Sequence, residues 1–171
     1  MKYKLFILVA VLIGFASCEK DLLDVKFDAE YTSDFNVEVD SSKGKAAFMH
    51  FDTIDPASDE EVKKYLENIK EWDLQEYSAK FLNLSQDFNL ENVYFRIISG
   101  EIEAEWFFEN VSVKEATVIV LEDLNGQFAK VNTIFKKAEP FVVEFSGVTD
   151  KSNLTFDTEA KIKAKVTASP L

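Results

Sequence analysis

The chain predicts a mainly β protein, an antiparallel β-sandwich of immunoglobulin-like class with about eight strands and two interposed helices. Three observations carry that expectation. Long stretches alternate apolar and polar residues with period two, as strands do when one face is buried and the other is wet. Two segments break the alternation with helical spacing and recognisable start or stop residues. The strand-like runs are otherwise separated by short turn-forming stretches, which suits antiparallel sheets packed face to face. Hydrophobic residues make up 47% of the 171 positions and sixteen are phenylalanine, which argues for a folded core over a disordered tail.

In chain order, Val25, Phe27, Ala29, Tyr31, Phe35, Val37 and Val39 occupy odd positions with charged or polar residues between them. This predicts a long first strand, bent or bulged midway at Thr32-Ser33-Asp34. Ser41 to Gly44 reads as a turn, and Lys45 to Asp52 as a second strand forming a hairpin with the first. Ser58 and Glu61 have the spacing of a capping box, and Val62, Tyr65, Leu66 and Ile69 follow at helical spacing, so a helix is expected from Asp59 to about Lys70. From Asp73 the period returns to two, giving a strand to Asn83.

Val93 to Ser99 and Glu101 to Phe108 form two further strands joined by a tight turn at Ser99-Gly100. In the second, Ile102, Ala104, Trp106 and Phe108 share one face and Glu101, Glu103 and Glu105 the other. Ala116 to Leu121 is short and apolar throughout, which predicts a central strand. Asp123 to Lys137 contains Asn125-Gly126, a hairpin signal, but Phe128, Val131, Ile134 and Phe135 keep helical spacing and Pro140 follows, so a helix is expected. Phe141 to Val148 and Leu154 to Val166 are the last strands; the final one is long and amphipathic, a counterpart of the first.

The N-terminus has its own pattern: Lys2 and Lys4, an unbroken apolar run from Leu5 to Ile13, then Gly14-Phe15-Ala16-Ser17-Cys18. The run is too short for a membrane-spanning helix, which needs about 20 residues, and reads as an export signal. Phe15-Ala16-Ser17-Cys18 resembles a bacterial lipobox, with Phe15 where leucine is usual. That resemblance implies cleavage before Cys18 and a diacylglyceryl group on its sulfur, a membrane anchor. Glu19-Lys20-Asp21 resembles the export signal of surface-exposed lipoproteins in Bacteroidota, and equally suits a solvated tether. The alternative is ordinary secretion with cleavage after Ala16, leaving Cys18, the only cysteine, as a free thiol. The expected organisation is a signal peptide at 1–17, a lipidated tether at 18–24 and a single domain at 25–168. Localisation at the bacterial cell envelope, anchored to the outer membrane, follows from the resemblance.

Removing 1–17 takes two lysines and no acid, so the net charge goes from −12 to −14. Such a chain repels phosphate backbones, which argues against nucleic acid as a partner. The residues available for chemistry are few. His50 is the only histidine and has no flanking catalytic motif; a structural role is expected. Asp52, Asp55 and Asp59, with Glu60 and Glu61, form the densest acidic cluster and are candidate calcium ligands, although EF-hand spacing is absent and the acids also suit the first turn of a helix. No metal and no cofactor is expected. Trp72 and Phe107 are candidate ligand-stacking aromatics, since Trp106 and Phe108 lie on the apolar face and belong to the core.

Asp52-Thr53-Ile54 resembles the O-glycosylation sequon of Bacteroidota, which implies modification of Thr53. Asn-x-Ser/Thr patterns at Asn83, Asn110 and Asn153 carry little weight, because the glycosylation system they imply does not accompany a lipobox.

Three functional readings follow, in decreasing order. The first is a lipid-anchored, non-enzymatic envelope protein whose monomeric domain presents its faces to a protein or glycan partner. The second is a module handling lipid or another hydrophobic ligand in a phenylalanine-lined cavity. The third is a hydrolase using paired carboxylates.

Overall fold

The computed structural model describes residues 23–40 and 45–171; the signal segment, Cys18, Glu19-Lys20-Asp21 and the expected turn at Ser41 to Gly44 lie outside the described residues. The elements are β1 (Val25–Val39), β2 (Ala46–Ile54), α1 (Glu60–Tyr65), β3 (Ile69–Leu82), β4 (Phe88–Ser99), β5 (Ile102–Val113), β6 (Val118–Val120), α2 (Gln127–Phe135), β7 (Phe141–Thr149) and β8 (Leu154–Ala168). They form two four-stranded antiparallel sheets, ordered β1-β8-β3-β6 and β2-β7-β4-β5.

The antiparallel sandwich with two helices is therefore found as expected. The pairs β1–β8, β2–β7, β3–β6 and β4–β5 nest inside one another like a single long hairpin rolled up, and β3–β8 and β4–β7 close the roll. Within the sandwich class this connectivity is that of an eight-stranded jelly roll, not the ABED-over-CFG order of immunoglobulin domains.

Two expectations for β1 are corrected. It makes no hairpin with β2: β1 pairs with β8 in one sheet, and β2 pairs with β7 in the other. Length matching explains the choice, since β1 and β8 have 15 residues each and β2 and β7 have nine each. Nor is there a bend at Thr32-Ser33-Asp34. The β1–β8 register runs unbroken from Val25 opposite Ala168 to Val39 opposite Leu154. A one-residue slip would turn the whole apolar row to solvent, so Ser33 is held in register and buried with it.

The first helix is shorter than expected and differently capped. Asp59, not Ser58, is the N-cap: its Oδ1 accepts from the backbone N–H of Glu61 at 2.9 Å and Val62 at 3.0 Å. Ser58 closes a 3-10 turn, Pro56–Ser58, and its N–H donates to the Asp55 carbonyl. Helix α1 ends at Tyr65 and a second 3-10 turn, Leu66–Asn68, delivers Ile69 into β3. Only Val62 is buried on α1, whereas extension beyond Asn68 places Trp72 and Leu74 in the core, so the strand wins those residues.

Ala116 to Leu121 is not central. Strand β6 is a three-residue edge strand on β3, with Ile119 facing inward and Val118 and Val120 facing solvent. The second helix is present as expected, with Val131, Ile134 and Phe135 buried; Asn125 and Gly126 both adopt positive φ ahead of it, and Asp123 Oδ1 accepts from Phe128 N–H.

The inner faces are filled by ring-on-ring packing. Phe95 stacks on Phe145 with centroids 4.9 Å apart, Phe145 meets Phe48 at 4.9 Å, and Phe88 meets Phe156 at 4.7 Å. Burying each such ring contributes about 1.5–3 kcal/mol. Both helices close one end of the roll, where Phe135 of α2 lies against Trp72, Phe141 and Tyr31 and the Tyr31 hydroxyl donates to the Pro56 carbonyl. At Gly147 the strands approach so closely that a Cβ would lie 2.7 Å from the Asn92 carbonyl oxygen, with the Phe48 ring at 3.0 Å.

Candidate partner-binding face

The two outer faces of the sandwich differ in kind. On the β1-β8-β3-β6 sheet, the register sets Asp28, Lys165 and Asp73 in one row and Glu30, Lys163 and Glu76 in the next. The lysines of β8 thus run between acids of β1 and β3. Lys161 bonds Glu30, and Lys163 reaches Glu76 at 3.2 Å. Lys163 and then the Ser78 hydroxyl hold the Glu76 carboxyl below its usual range. The rows of β1, β8 and β3 on this face are charged and polar, and Val118 and Val120 of β6 stand exposed at its edge. Farther along it, the Asp157 carboxylate accepts from the side-chain amides of Asn83 and Asn36, both at 2.7 Å.

The β2-β7-β4-β5 sheet presents another chemistry. Its register aligns Phe51, Glu144, Arg96 and Glu105 across all four strands, and Met49, Ser146, Tyr94 and Phe107 in the next row. On either side lie the rows Thr53, Val142, Ile98, Glu103 and Ala47, Val148, Asn92, Glu109. Met49 is 58% exposed, Phe51 59% and Phe107 43%, so large apolar side chains stand in water at both sides of the face.

The centre of the face is rigid because one guanidinium ties three strands. Arg96 Nε donates to Glu105 Oε2 at 2.6 Å and lies 3.1 Å from Glu103 Oε1, while Nη1 donates to Glu144 Oε1 at 2.7 Å. Glu144 is 5% exposed, and its Oε1 also accepts from the Ser146 hydroxyl at 2.7 Å. Burial works against the Arg96 charge, but the hydrogen bond to Glu105 and the charges of Glu144 and Glu103 outweigh it and raise the pKa. The guanidinium also lies 4.7 Å from the Tyr94 ring, whose centroid is 4.7 Å from that of the Phe107 ring stacked on it. The carboxylates converge on a cation on an open sheet face, a geometry suited to recognition rather than to acid–base work on a bond between two acids.

The residues singled out in the sequence fall as follows. Phe107 is exposed on this face, as the alternation predicts, with Trp106 buried behind it. Trp72 is not available for stacking on a ligand. It is 3% exposed and packs on Phe135 at 4.9 Å, because β3 begins at Ile69 and turns Trp72 inward. Asp52, Asp55 and Asp59 are occupied by backbone N–H groups of Thr53, Ala57, and Glu61 and Val62. Among the described residues no group of three or more His, Cys, Asp or Glu side chains is placed to hold a metal ion.

Thr53 is exposed on β2 at the border of the apolar face. His50 points to the opposite side from Met49 and Phe51 and is half-buried, its ring 6.3 Å from that of Phe48. The sequon residues Asn83, Asn110 and Asn153 are all in the left-handed region, φ 54°, 55° and 52°, Asn83 and Asn153 in bends between strands and Asn110 within β5 where its pairing with β4 is interrupted.

Sequence reasoning missed Met49, Phe51, Tyr94, Arg96 and Glu144. One signal was present: Arg96 is the only arginine among nineteen basic residues, and a planar fork is the residue suited to several carboxylates at once. Which carboxylates it gathers depends on strand order, which no local pattern states.

No family model matches the chain, and no curated protein matches it. Among solved structures it is similar to the BFDV capsid protein in its decameric form, at 10% identity and a TM-score of 0.44, over 83% of this chain and 99% of that one. It is also similar to a chain from the structure of desmodium yellow mottle tymovirus, at 12% identity and a TM-score of 0.31, over 85% of this chain and 90% of that one. Likenesses this distant carry nothing about what this chain binds.

Proposed function

We propose that the protein is a lipid-anchored, non-catalytic binding module of the cell envelope that docks a protein partner on the outer face of the β2-β7-β4-β5 sheet. The observation that carries this reading is the asymmetry of the two faces. One is lined across β1, β8 and β3 by charged and polar side chains, with Val118 and Val120 of β6 exposed at its edge; the other exposes Met49, Phe51 and Phe107 around the Arg96–Tyr94 centre. Phenylalanine, tyrosine, methionine and arginine are the side chains enriched in protein interfaces, and a rigid aromatic centre binds with little loss of side-chain freedom. A glycan is the weaker fit, because Phe107 and Arg96 already lie against the Tyr94 ring that a sugar would stack on. The anchor itself rests on the lipobox at Cys18.

Crosslinking in intact cells followed by mass spectrometry tests the docking. Crosslinks should map to β2 and β5, and Phe51→Ser with Phe107→Ser should remove at least nine-tenths of the captured partner while leaving the urea midpoint unchanged. Capture that persists in the double variant, or crosslinks confined to the β1-β8-β3 face, would sink the reading. Cys18→Ala should move the protein from the membrane to the soluble fraction; retention in the membrane removes the anchor from the proposal.

A further inference from the structure

The charges on the candidate face narrow the chemistry of its partner, and the inference rests on the docking reading above. Sixteen outward positions make up the four rows of this face, and they hold one cation, Arg96, against four acids, Glu103, Glu105, Glu109 and Glu144. Arg96 and the buried Glu144 neutralise each other. The remaining three acids all lie on β5, an edge strand, and Glu103 and Glu105 share one nitrogen, Arg96 Nε. One proton-bearing nitrogen cannot satisfy two carboxylates, so acceptor capacity beside the exposed Phe107 is left over. On the opposite face Lys163 and Lys165 of β8 have acid neighbours on both sides, while Asp34 lies opposite Glu159, so surplus acid there is not joined to exposed aromatic rings as it is beside Phe107.

We infer that the partner is a basic protein surface, with apolar side chains covering Met49, Phe51 and Phe107 and lysine or arginine side chains reaching Glu103, Glu105 and Glu109 along β5. The geometry divides the face accordingly: apolar side chains on β2 at one side, surplus carboxylates on β5 at the other, and the Arg96–Tyr94 centre between. The net charge of −12 steers a cationic partner toward the molecule and opposes a second copy of this chain at the same face.

Fluorescence anisotropy with the full chain in detergent micelles tests this, using two labelled probes of equal length, one alternating phenylalanine with lysine and one alternating phenylalanine with glutamate. The lysine probe should bind at least tenfold more tightly than the glutamate probe. Glu103→Gln with Glu105→Gln should weaken it about tenfold, while Glu38→Gln with Glu71→Gln, which removes the same charge from the other face, should change affinity less than twofold. Equal losses in both pairs would mean bulk charge alone and would overturn the inference. So would equal binding of the two probes, or concentration-dependent self-association lost in Phe51→Ser. If Phe51→Ser with Phe107→Ser weakens binding and Glu103→Gln with Glu105→Gln does not, the docking face stands and the basic partner falls. If neither pair matters, both fall.

Discussion

Thr158 faces the core from the middle of β8 with its hydroxyl buried and unpartnered, as do Ser33 on β1 and Tyr77 on β3. Each polar atom so placed has lost water without gaining a hydrogen bond. Replacing it with an apolar group of the same shape removes that cost. Thr158→Val, which keeps the β-branched shape that suits a strand, is therefore expected to raise stability by about 1 kcal/mol, read as a higher urea midpoint at unchanged slope. Residues also set the acid limit. Hydrogen bonds from Asn83 and then Asn36 hold the Asp157 carboxyl below its usual range, and at Asp150 the bonds from Asn89 outweigh the opposing effect of burial. A depressed folded pKa means that the unfolded chain takes up protons first as pH falls. The stabilisation is complete above the unfolded value near 3.9 and is lost as pH drops through the lower folded value. The urea midpoint should therefore hold above about pH 4 and fall as pH drops below it, and by less in Asn83→Ala. A variant with the same acid loss as the parent would show that the Asn83 bond plays no part.

At the scale of elements, the caps separate two ways of reading one stretch. Ser58 and Glu61 have capping-box spacing, yet the carboxylate of Asp59, one residue on, reaches two N–H groups and sets the helix start. Asp59→Ala should cost about 1 kcal/mol and Ser58→Ala close to nothing, both measured by urea denaturation. Equal losses would return the cap to Ser58. Period-two patterns located β1, β4, β5, β7 and β8, because alternation follows directly from a pleated strand with one buried face. The same patterns could not distinguish an edge from a centre. Strand β6 is apolar throughout and still ends at the sheet edge with Val118 and Val120 in water, since a short run carries no record of its neighbours. The hairpin at Gly100 was legible because its geometry is local: the φ of +61° is one that glycine adopts without strain. The β1–β2 hairpin was misread for the converse reason, since only the distant β7 and β8 show which strands each can match in length.

The whole molecule is built on long-range pairing. Strand β8 lies between β1 and β3, and its pairing with β1 joins the two ends of the domain. Such topology folds on the millisecond-to-second scale, because loop closure precedes the contacts that reward it. A chain ending at Asn153 would leave β1 and β3 without their shared neighbour and is expected to show no cooperative unfolding transition by circular dichroism. A sharp transition in that truncation would place the folding unit elsewhere. The candidate face is also a property of this scale. Phe51, Arg96, Phe107 and Glu144 come from four different strands, and only the order β2-β7-β4-β5 brings them into two adjacent rows.

The sequence by itself determined the class of fold, the second helix, the inward side of β1, β5 and β8 and the exposure of Phe107. All of these depend on the period of side chains along a single segment. It also supplied the lipobox resemblance at Cys18, a local pattern outside the described residues. Only the tertiary structure decided the jelly-roll connectivity, the burial of Trp72 and Ser33, the edge position of β6 and the gathering of three glutamates on Arg96. Those outcomes depend on which distant strand lies alongside, and pairing is fixed by the burial of whole apolar faces together, a quantity that no single segment contains.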